Sequence, residues 1–311
     1  MSSRAAARPP SERGAAARST GSPPRSGTGR PQASHKRLTR TRVPVNGAAT
    51  RSVQAGPSAR APSGGIPDHA PKYQAGPGEG GGRVADILAF SPHPDDVEIG
   101  AGGTLALHSR LGYDVVVCDL TQGELASNGT PAERAREAAL AARILGLGSR
   151  ETLGLADRAL EPTPDRVRVV AEAVRRWRPR VVLAPWGEDR HPDHGAAARL
   201  VREGVFNAGL VRYRAAGEAH RVARLVYYLV NSTAAPGFVV DISRVYDLKR
   251  QALEAYASQF SPAGEPTPLN RGYLEWVELR DRWYGSLAGV ERAEGFRWEG
   301  LLRLQDLVRE L

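Results

Sequence analysis

The stretch VADILAFSPHPDDVEIGAGGT, Val84 to Thr104, runs from an unbroken apolar segment into one histidine and three carboxylates, and then into glycines. A short apolar run closed by a polar turn reads as a buried strand, and the glycine-containing segment after it opens a helix. Asp95, Asp96 and Glu98 lie within four residues of one another. Such carboxylates repel one another and resist desolvation unless a cation or hydrogen-bond donors offset the cost.

Beyond this stretch, β-branched runs alternate with helical patterns. YDVVVCDLT from Tyr113 is a second strand, Pro131 to Leu147 a helix, and ETLGL from Glu151 a short third strand. A helix over Pro164 to Arg178 precedes the fourth strand, RVVLAPW, and another follows through AAARLVREGVF. ARLVYYLV and GFVVDIS are further strands, and the remainder is expected to be helical. Strand–helix alternation of this kind makes an α/β, Rossmann-like, mostly parallel sheet flanked by helices. Right-handed crossovers put the second strand beside the first and let a later strand join the first on its other side. The reversal opens a crevice at the carboxyl ends of strands one and four, where open α/β sheets bind ligands.

Both polar clusters fall at those ends. The first offers His93, Asp95, Asp96 and Glu98; the second, GEDRHPDHG, offers Asp189, Arg190, His191, Asp193 and His194. One turn can aim both His93 and Asp96 inward, and a histidine of the second cluster would complete a two-histidine, one-carboxylate metal site with open positions. Zinc in such a site favours hydrolysis, with Asp95, a spare carboxylate beside a ligand, as general base. The structural alternative makes Asp95 and Asp96 helix caps and leaves the second cluster solvated. Gly100, Gly102 and Gly103 do not form the G-x-G-x-x-G pattern, and acidic neighbours would repel a pyrophosphate. Close packing of the first helix on the sheet explains them better.

The first 82 residues differ in kind. They hold 13 of the 43 basic residues but three of the 34 acidic ones, amid Arg, Pro, Ser and Gly. This tail is expected to be disordered, with the folded domain over 83–311. Because the tail carries the whole positive excess, the domain itself shows no sign of a nucleic-acid surface. No run approaches a membrane span and no secretory signal is present, so a cytoplasmic setting is expected. Cys118, the single cysteine, reads as a small buried hydrophobe.

PHPDDVEIGAGGT and RHPDHG together resemble the H-x-D-D-x-E and H-x-D-H motifs of the LmbE-like (PIG-L) zinc-dependent N-acetylglucosaminide deacetylases, over roughly Val84 to Phe296. TQGELASNGTPAERAREAALAARILG and AEGF further resemble the bacillithiol-biosynthesis branch, which acts on N-acetylglucosaminyl-malate. The resemblance implies one Zn2+ per chain, held by His93, Asp96 and His194, with another divalent metal such as Fe2+ left open. It also implies Asp95 as general base, His191 as oxyanion stabiliser or acid with Asp193 orienting it, Arg134 reaching the site and Tyr273 as a further oxyanion donor. A small-molecule N-acetylglucosaminyl conjugate would be the partner, and the protein a homo-oligomer. Two other classes stand beside this one: a non-haem iron oxygenase, which has no need of Asp95, and a catalytically inactive sugar-binding protein on the same fold.

Overall fold

The computed structural model describes residues 84–301 and 305; the tail expected over 1–82 and its boundary with the domain lie outside the described residues. A seven-stranded sheet has the order β3-β2-β1-β4-β5-β7-β6. Its strands are β1 (Ile87–Ser91), β2 (Val115–Asp119), β3 (Ser149–Thr152), β4 (Val181–Pro185), β5 (Arg224–Tyr228), β6 (Phe238–Asp241) and β7 (Ala293–Arg297). The first five run parallel, and β7 pairs antiparallel with both β5 and β6.

β1 is buried throughout, and its alternating side chains feed two cores. Ile87 and Ala89 pack with α1 (Asp96–Arg110), α2 (Pro131–Leu145), α5 (Tyr246–Glu254) and α7 (Tyr273–Ala288). Leu88 and Phe90 pack with α3 (Pro164–Trp177) and α4 (Pro192–Ala208) on the other face. A short helix, α6 (Ala257–Phe260), follows α5. Helix ends follow local chemistry. At α2, Thr130 Oγ1 accepts from Glu133 N at 3.2 Å while Glu133 Oε2 accepts from Thr130 N at 2.8 Å, a capping box with Pro131 at the first turn.

α1 lies tight on the sheet. A Cβ at Gly100 would stand 2.4 Å from Tyr228 Cδ2 and one at Gly103 2.8 Å from Ile242 Cδ1, so these glycines serve close approach. Cys118 is buried, as expected, and donates to Glu151 Oε1 at 3.1 Å.

β7 departs from the sequence expectation, which had helix here. Its residues AEGFR carry little strand preference, and two tertiary contacts override that composition. Phe296 stacks on Phe238 of β6, and buried Glu294 accepts from Gly103 N at 2.9 Å and Thr104 N at 2.7 Å. α1 also begins earlier than expected, at Asp96, so the acidic cluster itself forms its first turn. Among the described residues, no helix is long and apolar enough to cross a membrane.

Candidate functional site

The order β2-β1-β4 puts the switch point between β1 and β4, and the turns leaving these two strands meet there. After β1, Ser91 Oγ donates to His93 O at 2.6 Å and accepts from Val97 N at 3.1 Å, while Asp96 Oδ2 accepts from His93 N at 3.0 Å. Those bonds close the helix start without Asp95. Asp95 occupies the N-cap position at φ 114°, ψ −31°, and its side chain makes no capping bond. A non-glycine residue at positive φ costs on the order of 1–3 kcal/mol. The capping alternative for Asp95 is thereby removed, and its carboxylate faces the cleft.

After β4, His191 is the N-cap of α4 and its Nδ1 accepts from Asp193 N at 3.3 Å. One helical turn brings His194 into the site. Asp96 bridges the two loops: one carboxylate oxygen lies 3.0 Å from His93 Nδ1 and the other 3.1 Å from His194 Nε2. The His191 ring stacks on His194 at 4.8 Å between centroids and stands 4.9 Å from His93.

Arg134, in the first turn of α2, is buried. It donates to Gly123 O at 3.2 Å and to Pro94 O, and forms an ion pair with Asp95 Oδ2 at 3.2 Å. It is therefore no solvated helix charge. Gly123, at φ 63°, makes room for it: a Cβ there would lie 1.8 Å from Arg134 Nη1.

Other groups sit differently from expectation. The Asp193 carboxylate turns away from His191, because Arg158 captures it with both its backbone N and its Nη1, each at 2.9 Å. What Asp193 presents to His191 is its amide. Tyr273 spends its hydroxyl on Asn231 Oδ1 at 2.7 Å and is not among the residues lining the cleft. Glu98 of the first cluster points into the fold, where Arg150 and, at 3.1 Å, Tyr256 Oη hold it.

Two contributors, Asp157 and Asn231, escaped the sequence reading, which placed Asp189 in the second cluster without giving it a role. Asp157 lies 3.1 Å from His93 Nε2, Asp189 lies 3.1 Å from His194 Nδ1, and Asn231 holds Asp189. Asp157 follows β3 as the two motif clusters follow β1 and β4, and that shared position was the available signal. The cleft has a volume of about 460 Å³, with Leu125, Ser127, Arg190, Gln259 and Leu269 on its walls.

The site's charges are unevenly matched. Asp95 has an arginine partner and Asp193 has both Arg158 and, at 3.3 Å, His93 Nε2, whereas Asp96, Asp157 and Asp189 face histidines alone. Burial pushes Asp95 up to about 7 against the pull of Arg134. Burial would raise Asp96 as well, but His194 and His93 outweigh it and hold its carboxyl well below the usual range. Burial would lower His194, yet Asp96 and Asp189 lift it to about 9. His191 is lowered, by burial and by its two histidine neighbours.

Without a metal, protonated histidines must balance these carboxylates. A divalent cation supplies the same balance and leaves the ring nitrogens as ligands. Donors on a tetrahedral zinc bonded at about 2.0–2.1 Å lie about 3.3 Å apart, close to the 3.0 Å from His93 Nδ1 to one Asp96 oxygen and the 3.1 Å from His194 Nε2 to the other. His93, His191 and His194 form one group that could hold a metal ion, and His93, Asp157 and Asp193 another.

Fold and site thus define an α/β protein with a histidine–aspartate centre at its switch point. Residues 88–205 match the family model PIG-L, GlcNAc-PI de-N-acetylase. Diacetylchitobiose deacetylase of Thermococcus kodakarensis is 32% identical over 230 residues, 69% of this chain and 83% of that protein. A probable N-acetyl-α-D-glucosaminyl L-malate deacetylase 2 of Bacillus cereus is 28% identical, over 63% of this chain and 96% of that one. Among solved structures, the conserved protein TT1542 of Thermus thermophilus superposes with a TM-score of 0.66 at 43% identity, over 71% of this chain and 98% of that chain. The chain belongs to the PIG-L family and is an N-deacetylase.

Proposed function

We propose that the protein removes the acetyl group from an N-acetylglucosaminyl conjugate, that the conjugate is N-acetylglucosaminyl-malate, and that the reaction serves bacillithiol biosynthesis. The observation that carries the reaction class is the meeting of His93, Asp96 and His194 with Asp95 beside them and free of any capping bond. In this reading His93, Asp96 and His194 hold one Zn2+. When bound, zinc supplies Lewis acidity, acidifying a water and polarising a carbonyl oxygen.

The protein's own groups have separable tasks. The Asp95 carboxylate takes the proton of the attacking water, and Arg134 fixes its position. His191 is held neutral by its surroundings, and its Nδ1 accepts from the Asp193 amide, so its proton sits on Nε2. From there it donates to the oxygen on which negative charge grows. Malate, a dicarboxylate, suits the wall of the cleft, where Arg158 and Arg190 are both exposed.

The test is a comparison of substrates. Purified zinc-loaded protein is incubated with N-acetylglucosaminyl-malate and with diacetylchitobiose, and acetate release is followed. A higher kcat/KM for the malate conjugate is expected; a preference for the neutral disaccharide would overturn the malate assignment. Absence of acetate release from both would overturn the reaction itself.

A further inference from the structure

We propose that Asn231, which lies beyond both motif clusters, is a positioning residue that sets the strength of the metal site through Asp189 and His194. The proposal rests on His194 being a zinc ligand, as above.

Asp189 is a nearly fully buried carboxylate, with 1% of its side chain exposed. Three hydrogen bonds reach it: His191 N at 2.8 Å, Asn231 N at 2.8 Å and Asn231 Nδ2 at 2.9 Å. Two of the three come from Asn231. The same Asp189 Oδ1 that takes the Nδ2 bond lies 3.1 Å from His194 Nδ1, an ion-pair contact rather than an aligned hydrogen bond. With Nε2 of that ring turned to Asp96, Asp189 is the group that orients the histidine from behind. Its negative charge behind the ring favours the proton on Nδ1 and leaves Nε2 to a metal, the service that carboxylates behind metal-binding histidines supply.

Asn231 is itself held on its acceptor side. Its Oδ1 receives Tyr273 Oη at 2.7 Å and Arg190 Nη2 at 3.1 Å. These two bonds also determine which end of the amide faces Asp189, since only an oxygen can accept from both donors. The NH2 group is therefore aimed at the carboxylate. Tyr273 is thereby tied to the site through Asn231. The peptide preceding Asn231 is anchored as well, because Arg280 Nη1 donates to Val230 O at 2.7 Å.

Asn231→Asp is the sharpest probe. It keeps an acceptor for Tyr273 and Arg190 but sets a second carboxylate oxygen against Asp189, removing a donor and adding repulsion. Zinc affinity is measured by competition with a fluorescent chelator for the wild type, His194→Ala and Asn231→Asp, with circular dichroism confirming the fold. Losing the direct outer-shell partner of a metal ligand typically weakens binding about 10- to 100-fold; Asn231 acts one step further out, through Asp189, so a loss at the lower end, about 10-fold, is expected in Asn231→Asp. Repulsion against Asp189 lowers the melting temperature of the metal-free variant as well, so affinity is measured well below that temperature, where a merely structural role would leave the zinc affinity of the folded protein unchanged.

If wild type and His194→Ala differ while Asn231→Asp binds zinc as the wild type does, the inference is overturned and the ligand assignment stands. If the wild type takes up no stoichiometric zinc, both fall. Should Asn231→Asp fail to fold, Asn231→Ala removes the same donor without adding charge and carries the same expectation.

Discussion

The molecule buries charge in two places and treats it in opposite ways. Under α1, Lys249 Nζ lies 2.6 Å from Asp281 and 2.7 Å from Glu294, all without exposure, and Arg280 completes the cluster with bonds to Asp281 and to the carbonyls of Ile99, Leu229 and Val230. Two acids meet two basic side chains there, one to one. At the switch point, five aspartates meet only two arginines, and histidines make up the difference. The first network pairs each acid with a basic side chain of its own and acts as a clasp between α1, α5, α7 and β7. The second is complete only with protons or a metal, and it alone opens on a cleft. Conditional charge balance, rather than buried charge as such, marks the working site.

The largest effect should come from His194→Ala. Removing a direct ligand should empty the centre, so elemental analysis should find metal falling from one equivalent per chain to nearly none. Full retention would mean that the two loops do not share a metal. Asp95→Asn should keep the metal and lower kcat by about 10²–10⁴, the usual worth of general-base catalysis, with KM little changed. Near-normal turnover would take Asp95 out of the mechanism, and loss of metal would make it a ligand.

Lys249→Met attacks the other network. Stranding a buried carboxylate typically costs about 3–5 kcal/mol, so the thermal midpoint should drop sharply while zinc stoichiometry and turnover of the remaining folded enzyme stay unchanged. A Lys249→Met protein that melts normally but loses zinc would erase the distinction between the two clusters.

The smallest effect concerns pH. In metal-free protein the folded-state pKa of His194, about 9, lies above its unfolded value. Its contribution is thus fully present below about pH 6.5 and is lost as pH rises towards 9. Asp95, lifted to about 7, acts in the same direction, favouring the fold less as pH climbs from about 4 to 7. Metal-free enzyme should melt several degrees lower at pH 9 than at pH 6, on the scale of about 2–4 °C per kcal/mol for a domain of this size. The zinc-loaded form should lack most of that decline. Parallel declines in both forms would show that the histidines are not where the charge is balanced.

Much of this was open to sequence reading, and the gaps have physical causes. The first cluster between β1 and α1, the second between β4 and α4, and their meeting all follow from strand order and handedness. The glycines of α1 were legible as packing residues. β7 was not, because AEGFR has weak strand character and gains its place from Glu294 and Phe296 reaching partners far along the chain. Asp157, Arg158 and Asn231 were missed for a related reason. Each is an ordinary loop residue until the fold sets it beside a histidine or an aspartate 35 to 64 positions away. The direction of Glu98 was equally hidden, since it depends on Arg150 and Tyr256 rather than on its motif neighbours.

The backbone at Asp95 has a consequence for evolution. At φ 114° a glycine would be free of backbone strain, yet it would leave the buried Arg134 guanidinium without its carboxylate. A laboratory lineage selected for heat tolerance alone should therefore reach glycine here only together with a neutral residue at position 134, growing inert by a paired change. A lineage screened for acetate release should retain both and seek its stability elsewhere.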